Sequence, residues 1–143
     1  NSIIKIQDSI NVIREEENLP KFGLILIDNP MNTFGNTIKN DMYCEHFDVL
    51  DNIDKISQSE TIVIFNVNRK PFDYVKHPLW NERRNKFYKK TDTSNMELNF
   101  LLNFYEEKFN SLGFLTLFKE NIVRVLFNGD NMTYYFAYKL KKY

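Results

Sequence analysis

Apolar positions along this chain fall into short, legible periods. Ile3, Ile6, Ile10 and Ile13 recur at helical spacing, and Glu15, Glu16 and Glu17 trail onto a polar end before Pro20, so the spacing predicts an amphipathic helix. Phe22 to Ile27 is a continuous apolar run, which suits a strand covered on both faces better than a one-sided hairpin strand. A second helix is predicted from about Asp41 as cap, with Phe47, Leu50, Ile53 and Ile56 inward. Thr61 to Val67, "TIVIFNV", is rich in β-branched residues and predicts the next strand. From Asn68 to Thr93 the pattern turns polar, aromatic and basic around Pro71 and Pro78, and it reads as a long functional loop or an insertion. Ser94 and Glu97 then have the spacing of a capping box. Leu98, Leu101, Leu102, Tyr105, Phe109 and Leu112 keep helical spacing, with Gly113 placed as a helix stop. Three runs close the chain, "FLTLF", "IVRVLF" and "MTYYFAYKL", with Asn128 to Asn131 as the turn between the last two.

Strands alternating with helices predict right-handed crossovers. The expected fold is therefore α/β: a three-layer, Rossmann-like, mainly parallel sheet with helices on both faces and a C-terminal antiparallel hairpin. Phe22 to Ile27 and Thr61 to Val67 are expected as adjacent central strands, and Met132 to Leu140 as the antiparallel one.

Composition narrows the class. At 143 residues the chain suits one domain, 1–143. Nineteen basic residues balance nineteen acidic ones, so no global field recruits nucleic acid or an anionic membrane, and any such partner must be held by a local patch. The single cysteine, Cys44, cannot form an internal disulfide, which fits a reducing, cytoplasmic setting. No apolar run is long enough to cross a bilayer, so no membrane is expected as partner. The first residue is not Met, which is compatible with a piece of something longer or with a processed chain.

Candidate chemistry gathers where apolar runs stop. The first strand ends abruptly in Asp28, Asn29 and Pro30. In open parallel sheets ligands bind outside the carboxyl ends of strands. Period-two alternation along "IFNVNRK" brings Asn66 and Asn68 out on one side at the next carboxyl end. Together Asp28, Asn29, Asn66 and Asn68 would form a polar pocket able to orient a heteroaromatic ring or a hydroxyl. The other open reading is that they cap strand ends and satisfy turn amides.

The 68–93 segment interleaves cations with aromatics, among them Arg69, Trp80, Arg83 and Arg84, the composition of a lid over nucleic acid. Alternatively its aromatics fold it onto the domain and its charges stay solvated. Cys44, Glu45 and His46 tempt a metal reading, but residues two apart do not share a helix face and no second cluster completes four ligands. A Cys44 nucleophile with His46 or His77 as base is conceivable, though no spacing demands it.

Parallel strands followed by a helix and a terminal antiparallel hairpin resemble the carboxyl-terminal half of a class I S-adenosylmethionine-dependent methyltransferase. In that family the fourth strand often ends in an Asp/Asn-Pro-Pro-aromatic motif, and "LILIDNPMN" places Asp28, Asn29 and Pro30 in the matching position. Met31 stands at the second proline and Asn32 at the aromatic. The resemblance spans Ile3 to Tyr143 as topology and Asp28 to Pro30 as motif. It implies S-adenosylmethionine as cofactor, RNA or DNA as acceptor, catalytic positions at Asp28, Asn29 and Pro30, and substrate contacts from Asn66, Asn68, Arg69, Trp80, Arg83 and Arg84. The family's Gly-x-Gly cofactor turn has no counterpart, because Gly23, Gly35, Gly113 and Gly129 never form such a pair. A missing N-terminal half or a partner chain is expected to hold the cofactor, with the 143 residues inactive alone. The alternative is a non-catalytic methyltransferase-like module that binds protein or nucleic acid.

Overall fold

The computed structural model describes residues 9–28, 47–69, 78–127 and 130–143. Helix α1 (Ser9–Glu15) leads into strand β1 (Phe22–Ile27), then helix α2 (Phe47–Asp51) and a 3-10 turn (Ile53–Lys55). Strand β2 (Ser57–Asn68) is followed by helices α3 (Pro78–Tyr88) and α4 (Leu98–Ser111), and strands β3 (Phe114–Phe127) and β4 (Asp130–Lys142) close the chain. The sheet has four strands in the order β1-β2-β4-β3.

This corrects the mainly parallel, three-layer expectation. Only β1 and β2 run parallel, while β4 pairs antiparallel with both β2 and β3. A parallel neighbour needs a crossover, which the chain makes once, through α2. The β3-β4 hairpin then returns β4 into the place beside β2, and a hairpin can only pair antiparallel. Phe22–Ile27 and the second strand are neighbours as expected, but β1 stands at the edge of the sheet.

One core lies on one face of the sheet. Ile25 from β1, Val63, Phe65 and Val67 from β2, and Tyr134, Phe136, Tyr138 and Leu140 from β4 alternate inward. Leu50 and Ile53, Tyr88, and Leu101, Tyr105 and Phe109 meet them from α2 and its following turn, α3 and α4. Phe65 sits at the centre, edge-on to Tyr105 at 4.8 Å between ring centroids and stacked on Tyr138 at 5.8 Å. The hydroxyls of Tyr88 and Tyr105 meet at 2.7 Å, and that of Tyr138 donates to the Leu102 carbonyl at 2.7 Å. α1 leans on α2, with Lys55 Nζ donating to the Ile13 carbonyl at 3.2 Å.

Element boundaries differ from the sequence reading in three places, and two expected helix starts lie outside the described residues. The first helix begins at Ser9 among the described residues, Ile3 and Ile6 lying outside them, and the second begins at Phe47, with Asp41 also outside. The 68–93 segment contains an eleven-residue helix, α3, which opens on Pro78, where a missing N–H costs nothing. α4 starts one turn later than a Ser94 cap predicts. Glu97 is the extended residue before it and makes no side-chain cap bond, while Ser94 donates its own N–H to Asp92 Oδ1 at 2.8 Å. "FLTLF" and "IVRVLF" are one strand, kept in the ladder by irregularities at Thr116/Phe118 and Asn121/Val123. Gly113 ends α4 with φ +87, as its placement predicts.

Candidate nucleic-acid interface

The face of the sheet opposite the core changes character along its length. Along β1 and at the middle of β2 it carries Phe22, Leu24, Leu26 and Ile62, all exposed. At the carboxyl ends it carries Asp28, Asn66 and Asn68, with Tyr135 and Thr133 from β4. Register makes this row: Tyr135 lies opposite Asn66 and Thr133 opposite Asn68. The parallel pair therefore ends in a polar cluster.

Within it the Tyr135 hydroxyl donates to Asp28 Oδ1 at 2.9 Å, joining residues 107 positions apart. Burial, the bond to Asp28 and the charge of that carboxylate all raise the Tyr135 phenol above its usual range. The Thr133 hydroxyl donates to Asn68 Oδ1 at 3.0 Å. Asn66 and Asn68 are only 5% and 3% exposed, so their amides are fixed in place, whereas Asp28 is exposed. A carboxylate that accepts from Tyr135 retains lone pairs for a second donor. Such an arrangement suits an amino or ring N–H group of a heteroaromatic ligand.

The cations divide into two kinds. Arg84 is 0% exposed: its Nη2 donates to the Asn68 carbonyl at 3.1 Å and to the Thr93 carbonyl at 3.2 Å, and its guanidinium lies 5.6 Å from the Tyr88 ring centroid. It ties α3 to the end of β2 and to the segment before α4, facing the interior. Arg69 follows β2, and its carbonyl accepts from Met96 N–H at 3.0 Å. Arg83 is half-buried on α3, and Lys86, Lys89 and Lys90 are exposed at or just beyond its end. Lys89 takes φ 53, and the Lys89→Lys86 and Lys90→Asn85 backbone bonds close α3 in a Schellman motif with lysine at the position glycine usually fills. Lys90 Nζ sits 4.1 Å from the Phe100 ring centroid.

Of the sequence-derived candidates, the structure brings Asp28, Asn66 and Asn68 onto one face, and links Arg84 to Asn68 through the backbone. Trp80 is in α3, while Asn29 and Pro30 lie outside the described residues. Tyr135 and Thr133 were missed. The signal was present in "MTYYFAYKL", whose alternation sets Thr133, Tyr135 and Ala137 on one side, but their partners belong to a strand far away in sequence.

Among the described residues no glycine turn for S-adenosylmethionine is formed. Gly23 lies inside β1, where a Cβ would meet Gln58 Oε1 at 3.0 Å, and Gly113 closes α4, so neither builds a turn for the cofactor. Among the described residues no group of three or more His, Cys, Asp or Glu could hold a metal ion, and no helix is long and apolar enough to cross a membrane. Compared with protein-family models, with curated proteins and with solved structures, the chain gives no significant match.

Proposed function

We propose that this chain is a nucleic-acid-binding module in which the polar strand ends seat a base and the cations on and just after α3 hold the backbone. The observation that carries this reading is the Asp28–Tyr135 contact beside Asn66 and Asn68, at the carboxyl end of the parallel pair. The α3 cations are anchored to the same strand end by Arg84. Asp28 accepts from the base edge, Tyr135 fixes the carboxylate, and Arg83, Lys86 and Lys89 meet phosphates. A reducing, cytoplasmic setting suits the lone Cys44.

A second reading is favoured by the position of Asp28, which follows β1 beside parallel β2. In it the module is the acceptor-binding part of an S-adenosylmethionine-dependent methyltransferase acting on nucleic acid. The cofactor and the transfer step then belong to residues outside this chain.

Fluorescence anisotropy with labelled single-stranded RNA and DNA at several salt concentrations tests the first reading. Charge removal in Arg83→Ala/Lys86→Ala should flatten the salt dependence by about 0.7 in log–log slope for each phosphate no longer neutralised. Asp28→Asn and Tyr135→Phe should weaken binding by roughly 1–3 kcal/mol at an unchanged slope. Unchanged affinity in all of these folded variants would refute the proposal. A methyl-transfer assay separates the second reading: the chain alone should be inert, and incorporation into RNA or DNA without any added polypeptide would overturn the assignment of the cofactor elsewhere.

A further inference from the structure

Asp28 and Tyr135 belong to strands that are not neighbours, and this fixes what the carboxylate offers a base. Asp28 is one residue past Ile27, which pairs with Phe65, so it stands beside Asn66; Tyr135 lies opposite Asn66 on the other side of β2. The two backbones are two strand spacings apart, roughly 10 Å. The Tyr135 side chain bridges that gap across β2, above the buried Asn66, and its hydroxyl donates to Asp28 Oδ1 at 2.9 Å. Among the described residues this is the one bond to the carboxylate, so Oδ2 and the remaining lone pair of Oδ1 are open on an exposed side chain. A carboxylate has acceptors and no donor. It is also repelled by phosphates, so in a nucleic-acid interface it contributes discrimination more than affinity.

We propose that the Asp28 carboxylate, oriented by Tyr135, selects the Watson–Crick edge of an unpaired guanine. This rests on the nucleic-acid reading above and names the base. Guanine alone among the common bases carries two neighbouring donors on that edge, N1–H and N2–H, and their parallel spacing matches the two oxygens of a carboxylate. Adenine and cytosine each present one amino donor beside a bare ring nitrogen, and uracil presents one N–H between two carbonyls, so each sets a lone pair against a carboxylate oxygen. The second bond, together with the absence of that repulsion, favours guanine about tenfold or more. In a duplex the same edge is occupied by cytosine, so the guanine must be single-stranded or splayed out of its stack. Arg83, Lys86 and Lys89 hold the phosphates and offset their repulsion by Asp28. Guanine on a strand and guanine in a free nucleotide present the same edge, and the test separates the two sources.

The test is fluorescence anisotropy with labelled oligouridylates that carry a single central guanine, hypoxanthine, adenine or cytosine, with a duplex of the guanine strand as competitor, beside an NMR titration with guanosine monophosphate. The guanine strand should bind about tenfold or more tighter than the adenine and cytosine strands. Hypoxanthine, which keeps N1–H and lacks the amino group, should fall between them, and the duplex should compete no better than one without guanine. Asp28→Asn keeps an acceptor for Tyr135 but replaces the other oxygen by a donor, and Tyr135→Phe removes the orienting hydroxyl. Either variant, shown to be folded by its circular dichroism melt, should bring the strands to within about threefold of one another. Equal binding of all strands by the parent chain, with a steep salt dependence, would overturn the guanine assignment and leave the nucleic-acid reading standing. Binding of guanosine monophosphate that is lost in Asp28→Asn, with no gain in affinity on a strand, would support the guanine edge and overturn the strand as its source. No binding to any of these probes would overturn both.

Discussion

Arg84 and Arg83 are adjacent in sequence and should respond very unequally to the same substitution. In Arg84→Met the side chain keeps much of its volume but loses the donor that serves the Asn68 and Thr93 carbonyls. A buried acceptor left without a donor costs about 1–3 kcal/mol, and removal of the cation over Tyr88 adds roughly 0.5–1 kcal/mol. Relief of burying a guanidinium offsets part of this, leaving a net loss of about 3 kcal/mol. For a chain of this size each kcal/mol moves the melting temperature by roughly 2–4 °C, so a fall of about 6–12 °C is expected. Arg84→Lys should lose less, about 1–2 kcal/mol, because a single ammonium cannot reproduce the planar fork that spans two carbonyls. Arg83→Met, at a half-buried position, should stay within about 0.5 kcal/mol. Circular dichroism melts together with urea titrations read all three. Equal melting temperatures for Arg84→Met and Arg83→Met would refute the assignment of Arg84 as the strut between β2, α3 and the start of α4.

Alkaline pH should also probe the core: burial, with a smaller contribution from Glu106, raises the Tyr138 phenol well above its ordinary value of 10.0. Its stabilisation is complete below pH 10 and is lost above it, as the unfolded chain ionises first, so Tyr138→Phe should flatten the fall in urea midpoint on the alkaline side. Gly113→Ala should cost about 1–2 kcal/mol from φ +87 alone, since no atom lies near the added Cβ, and a loss confined to the folded-state backbone should leave the urea m-value unchanged. Lys89→Gly should raise stability by about 0.5–1 kcal/mol, because the Schellman position at φ 53 favours glycine; a lower melting temperature would count against that cap.

Local pattern by itself determined β1, whose bounds coincide with the apolar run Phe22–Ile27, the register of α4 with its buried Leu101, Tyr105 and Phe109, and the stop at Gly113. These are settled within a few residues, by side-chain period and by the one residue that tolerates a positive φ. The polar strand ends were legible in the same way for Asp28, Asn66 and Asn68. Sheet order was not, because whether β4 pairs with β2 or stands beyond β3 depends on pairings some 70 residues apart, which no period encodes. The same holds for Tyr135, which gains its role only when the β2-β4 register sets it beside Asp28. It holds for Arg84 too, whose burial is tolerable only because two distant carbonyls converge on it. Tertiary structure alone also decided that, among the described residues, β1 ends at a sheet edge: the apolar run specified a strand to be covered on both faces, and the packing of the described residues covers one.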